Sequence, residues 1–166
     1  MKIHSEQEMI DLGRDLNSDF RDISRQTGSE SARSPVTTGA AKRVEKDAIK
    51  SRHAVVIELI GDVGVGKTTF VRGLAEGLGV KEPVTSPSFT ISKSYALPGG
   101  GNLVHYDFYR LSDPGLMVED FYESISNPKN IVVIEWGESV KDLLPKNHTT
   151  VVINYNNDGA REVEIK

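Results

Sequence analysis

The run Gly61-Asp62-Val63-Gly64-Val65-Gly66-Lys67-Thr68, with Thr69 behind it, decides the fold class of this chain. It follows residues 54–60 (AVVIELI), which are apolar almost throughout, as buried central strands of a parallel sheet are. It precedes residues 68–78, where Phe70, Val71, Leu74 and Leu78 recur on one side of a helix. Gly79 then stands where a helix C-terminal glycine belongs. Strand, glycine-rich loop and helix in this order match G-x-x-x-x-G-K-[ST] without a gap.

Each position has a physical task. Glycines at 61, 64 and 66 let the backbone adopt conformations closed to other residues and come close to a bound anion. The N–H groups along Gly61, Asp62, Val63, Gly64, Val65 and Gly66, with the helix N-terminus, form a positive cradle for phosphates. Lys67 reaches the β- and γ-phosphates of a nucleotide as a flexible charge. The Thr68 hydroxyl is placed to ligate magnesium, and Thr69 to hydrogen-bond the α-phosphate. ATP or GTP with Mg2+ is the ligand expected.

Such a loop needs an acid at the end of a neighbouring strand, to hold magnesium directly or through water and to help orient the attacking water. Two acids qualify. Glu135 ends the apolar run 131–134, and Asp107 follows Leu103-Val104-His105-Tyr106. Both stand where strand C-terminal ends meet a ligand crevice. Asp62 can face solvent, magnesium or the water. His105, inside a strand, reads as a hydrogen-bonded structural histidine. Arg110 can pair with an acid or approach a phosphate. Trp136 can stack near the nucleotide, face a partner or be partly buried. The hydroxyl-rich segment Thr85-Ser86-Pro87-Ser88-Phe89-Thr90 sits where many proteins with this loop keep a segment that responds to the γ-phosphate.

Outward from this centre, residues 5–22 read as a helix. Ser5 and Glu8 form a capping box, and Met9, Leu12, Leu16 and Phe20 form an apolar stripe. Residues 90–97 and 103–108 read as strands around Pro98-Gly99-Gly100-Gly101-Asn102. A helix is expected after Ser112-Asp113-Pro114. Residues 131–135 read as another buried strand, and 149–155 with 161–165 as a hairpin around Asn156-Asn157-Asp158-Gly159. Residues 24–53 differ in composition. The stretch 24–41 is rich in Ser, Thr, Gly and Arg, so it reads as a polar, mobile insertion. A short polar helix is expected at 42–50. Seven lysines and arginines stand against three acids in 24–53, in a chain whose net charge is −4. That balance makes 24–53 a solvated insertion, or an arm that docks on a partner or touches RNA.

The 166 residues suit one domain. A hydrophobic fraction of 37% and a charged fraction of 27% suit a soluble globular protein. There is no cysteine, which excludes disulfides, thiolate metal sites and cysteine nucleophiles. No apolar run approaches the roughly 20 residues that span a bilayer, and Met1–Glu6 has no signal-peptide core, so a cytoplasmic protein without membrane contact is expected. No N-K-x-D and no D-x-x-G follows the loop, against a GTPase that reads guanine. No arginine-rich lid argues for a small kinase, and no LSGGQ-like signature for a transporter ATPase.

Four segments in order, GDVGVGKTTF (61–70), TSPSFTI (85–91), VHYDFYRL (104–111) and IVVIEWGE (131–138), resemble the bacterial TsaE family. The H-x-D-x-Y-R pattern followed by I-E-W carries the specificity, and the resemblance covers 1–22 and 54–166. It implies an α/β fold: one P-loop NTPase domain, with a mixed, mainly parallel central sheet flanked by helices. It implies an ATPase of the tRNA threonylcarbamoyladenosine machinery. That ATPase would bind the TsaB and TsaD proteins and reset their complex between turnovers, meeting tRNA only through them. By motif position it implies Lys67 and Thr68 as phosphate and magnesium residues, Asp107 and Glu135 as the acids of hydrolysis and Trp136 beside the nucleotide. The chain departs from the family pattern in the length of 24–53 and in Met9, where a threonine is usual, and the N-terminal part borders the base in that family. A small-molecule kinase and a non-catalytic ATP-sensing adaptor are the alternatives. The paired acids disfavour the second, and the absent lid disfavours the first.

Overall fold

The computed structural model describes residues 1–26 and 53–166 apart from Ser112, Pro114 and Leu116, with backbone alone over 17–26. Seven strands form one sheet: β1 (Lys2–Ile3), β2 (Val55–Ile60), β3 (Ser92–Ala96), β4 (Asn102–Asp107), β5 (Ile131–Glu135), β6 (Thr149–Tyr155) and β7 (Arg161–Ile165). Their order is β1-β7-β6-β2-β5-β4-β3. The four central strands β6, β2, β5 and β4 run parallel, and the margins β1–β7, β7–β6 and β4–β3 are antiparallel. This is the mixed sheet with a parallel centre that the sequence implies.

Helices α1 (Glu6–Gln26) and α2 (Lys67–Leu78) cover one face. Beneath them lie Ile57, Leu59, Val133, Val151 and Ile153, each at most 1% exposed. Burying a side chain of this size contributes about 1.5–3 kcal/mol. The two helices meet backbone to backbone. A Cβ on Gly73 would lie 2.0 Å from the Ile10 carbonyl oxygen, and one on Gly13 would lie 2.3 Å from that of Phe70. Arg14 with Glu76 and Arg72 with Glu6 pair across the same seam. Helix α3 (Met117–Ser126) covers the other face, where Phe121 meets the rings of Tyr106 and Phe108 edge-on. Burial pushes the Tyr106 phenol above its usual range, and its hydroxyl is 2.9 Å from Ser124 Oγ.

Local signals account for most ends. Ser5 Oγ accepts the Glu8 N–H at 3.1 Å, but the Glu8 carboxylate takes the N–H of His4, one residue earlier than a reciprocal box requires. Gly79, at φ 83°, closes α2, with its N–H and that of Val80 returning to Glu76 and Ala75. Met9 and Leu12 are buried and Leu16 packs beside them. The Phe20 side chain lies outside the described residues.

Helix α1 runs to Gln26 rather than 22, so residues 24–26, expected in the insertion, are helical. The rest of that insertion, 27–52, and the helix expected at 42–50 lie outside the described residues. The strands expected at 90–97 and 103–108 are β3 and β4, with Ile91 instead in a left-handed conformation at φ 66°. Strand β1 and a 3-10 helix at Gly137–Leu143 have no counterpart in the sequence reading. Among the described residues, no helix is long and apolar enough to cross a membrane.

Candidate functional site

β2 delivers the chain to Gly61, whose φ is 154°, and a Cβ there would lie 2.3 Å from the Ile153 carbonyl oxygen on β6. Only glycine passes this point without displacing β6. The loop then turns through Gly64 (φ 80°) and Gly66 (φ 114°), the residue before α2. Val65 is fully buried and anchors the loop from below, while Asp62 and Val63 face outward.

Lys67 is only 5% exposed. Its Nζ donates to the Gly61 and Asp62 carbonyls at 2.8 and 3.0 Å, stands 3.8 Å from Glu135 Oε2 and lies 4.6 Å from the centre of the Trp136 ring. A buried ammonium needs such partners, because desolvation without them costs several kcal/mol.

Glu135 is also buried, at 4%. Its Oε1 accepts the Thr68 hydroxyl at 3.2 Å and lies 3.0 Å from His105 Nε2. His105 is fully buried, and its Nδ1 has no hydrogen-bond partner among the described residues. The structure therefore brings Lys67, Thr68 and Glu135 together, with His105 behind them.

Asp107 stands level with Glu135 on the adjacent parallel strand. Its partners are different: the Ser88 hydroxyl and the Tyr109 N–H, the latter at 3.0 Å. Asp107 is thus tied to the segment 85–90 and not to the loop. Trp136 adopts a left-handed conformation (φ 60°), half-buried, with its ring 4.9 Å from that of Tyr109. These rings open on a cleft of about 410 Å3 lined also by Phe108, Leu111, Glu138 and Ser139. Among the described residues Arg110 has no acidic partner, and its guanidinium lies 4.8 Å from the Phe89 ring centre. Thr69 borders a cavity of about 140 Å3 with Glu6, Met9, Gly64, Gly66 and Arg161. A groove of about 480 Å3 between Arg72 and Val84 contains none of the site residues.

Two residues that the sequence reading passed over touch the loop. The Tyr155 hydroxyl donates to the Gly64 carbonyl at 2.9 Å, and Arg161 Nε donates to that of Val65 at 2.8 Å. They lie 91 and 96 residues away along the chain, so no local pattern announces them.

The donor set fits a nucleotide with magnesium. Among the described residues no group of three or more His or acidic side chains could hold a metal unaided. Magnesium does not need one: it is commonly bound through one or two protein oxygens, with phosphates and water completing its shell. Thr68 and Glu135 offer those oxygens beside Lys67.

Residues 3–163 match the family described as threonylcarbamoyl adenosine biosynthesis protein TsaE. A protein of a Nostoc species named tRNA threonylcarbamoyladenosine biosynthesis protein TsaE is 41% identical over 113 residues, 66% of this chain and 68% of that protein. Its namesake in Haemophilus influenzae is 35% identical over 121 residues, 70% and 73% of the two chains. A crystal structure of Bacillus subtilis YdiB superposes with a TM-score of 0.59 over 98% of this chain and 80% of that one, at 23% identity, and so shares the fold.

Proposed function

The chain belongs to the TsaE family of threonylcarbamoyladenosine biosynthesis proteins, and from that premise we propose that it binds ATP with magnesium and hydrolyses it when held by the TsaB–TsaD pair. The observation that carries this reading is the burial of Glu135 against Thr68 and Lys67. A carboxylate fixed level with the mouth of a phosphate loop is placed for hydrolysis, which nucleotide sensing alone does not require.

Lys67 leaves its two carbonyl partners to take the β- and γ-phosphates. The Thr68 hydroxyl, now bonded to Glu135, would help hold magnesium, which would supply charge neutralisation on the phosphates. Glu135, still held by His105, then has an oxygen available to orient water. Asp107 adds a second acid whose position depends on Ser88, so partner contact with 85–90 reaches the site through it. The cavity beside Met9, Thr69 and Arg161 receives the nucleoside. The energy of hydrolysis resets the TsaB–TsaD complex between turnovers, and tRNA is met only through that complex.

The test is phosphate release from ATP by the protein alone and with its cognate TsaB–TsaD pair, with Glu135→Ala beside it. Stimulation that vanishes in the variant is expected. Confirmed complex and ATP binding without stimulation would leave an ATP-sensing adaptor. Transfer of phosphate to an acceptor other than water would make the protein a kinase.

A further inference from the structure

Tyr155 ends β6 and Arg161 begins β7, directly opposite one another across the antiparallel pair. The turn between them is closed by the Asn156 N–H to the Ala160 carbonyl at 2.7 Å and the Gly159 N–H to the Asn156 carbonyl at 3.0 Å. The guanidinium lies 5.8 Å from the Tyr155 ring centre. From this fixed pair, the two donors reach consecutive carbonyls of the phosphate loop, those of Gly64 and Val65.

A trans peptide is planar, with its C=O and N–H on opposite sides. Drawing the Gly64 and Val65 carbonyls toward the hairpin therefore turns the following N–H groups, of Val65 and Gly66, away from it. The Val65 N–H points accordingly to the Asp62 carbonyl at 3.3 Å, which also accepts Lys67 Nζ. These are groups of the phosphate cradle. The Arg161 bond is also charge-assisted, and places a positive charge behind the peptide it polarises. Tyr155 itself is 54% exposed, so its ring is not a core element; its hydroxyl is the part engaged.

We infer that the β6–β7 hairpin braces the phosphate loop from behind, and that Tyr155 and Arg161 are positioning residues for nucleotide binding. The inference rests on the nucleotide-binding reading above. It assigns a role in the site to a hairpin that carries no part of the loop motif.

The experiment titrates the full-length protein with magnesium–ADP, read by fluorescence of Trp136, the chain's one tryptophan. Tyr155→Phe removes one neutral donor and should raise Kd about threefold to fivefold; Arg161→Met removes a charged one and should raise it tenfold or more, on the order of the usual worth of such bonds. Arg161→Lys, which keeps charge and a donor, should fall between. With the TsaB–TsaD pair, the loss should fall on KM for ATP rather than on kcat. Asp158→Asn serves as the control. It breaks the Lys2 ion pair at the hairpin tip without touching the loop, so it should leave Kd unchanged whatever it does to the melting temperature. Arg161 also borders the cavity assigned to the nucleoside, so Tyr155→Phe, which loses a single oxygen and lies outside that lining, decides. Wild-type affinity in Tyr155→Phe overturns the brace, and so does an Asp158→Asn loss as large as that of Arg161→Met. No ADP binding by the wild type would instead sink the nucleotide-binding reading itself, and the brace with it.

Discussion

Glu135 and Asp107 are the same kind of group at the same height on neighbouring strands, yet their surroundings differ. Glu135 is held by Thr68 on α2 and His105 on β4, and stands within 3.8 Å of Lys67. Lys67 and His105 are buried and Thr68 is half-buried at the start of α2. Asp107 is held by Ser88 and by the N–H of Tyr109, and next to Ser88 stands Phe89, 85% exposed. One acid is thus fixed by the core that builds the phosphate loop. The other is fixed by a segment that meets solvent. Equal position on a sheet does not give equal preorganisation, because preorganisation comes from what packs on the side chain.

The largest expected effect tests this directly. Glu135→Gln should lower partner-stimulated turnover by about a hundredfold or more, with ADP affinity nearly unchanged. Asp107→Asn should cost less, on the order of tenfold, since its neighbours supply part of its orientation. Steady-state kinetics of the two variants side by side would break the comparison if Asp107→Asn proved the more damaging.

Next in size is a stability effect. Gly61→Ala drives a Cβ into the Ile153 backbone in a conformation that L-residues rarely adopt, and should cost about 2–3 kcal/mol in urea unfolding. A neutral result would mean that the loop yields as readily as the segment 85–90. The smallest effect belongs to that segment: Phe89→Ser should change stability by less than about 0.5 kcal/mol and leave ADP affinity intact. A large loss of affinity there would show Phe89 acting on the nucleotide site without a partner.

The sequence makes the first of these regions legible and leaves the second vague. Residues 131–135 and 161–165 are strands with the expected bounds, because apolar runs and flanking turn residues are local signals. The loop, its strand and its helix share the same advantage. The contact of Arg110 with the Phe89 ring is not legible in the sequence, since it depends on how 85–90 folds back over β4. Strand β1 is two residues long, too short to show a period. The 3-10 helix at Gly137–Leu143 follows from the left-handed turn at Trp136, a conformation that a tryptophan does not advertise. The contacts of Tyr155 and Arg161 are invisible for a plainer reason: their partners lie more than 90 residues away.

Strand β1 has one further consequence, which concerns time. Lys2 and Ile3 pair with Glu162 and Arg161, and the Met1 amino group donates to the Val163 carbonyl at 2.8 Å. Lys2 and Ile3 are therefore made some 160 positions before the residues with which their ladder closes. Arg161 arrives with that same late strand. A chain stopped short of β7 would carry the whole of Gly61–Thr69 and still lack what stands behind it, so the order of synthesis delays completion of the phosphate loop until β7 has been made.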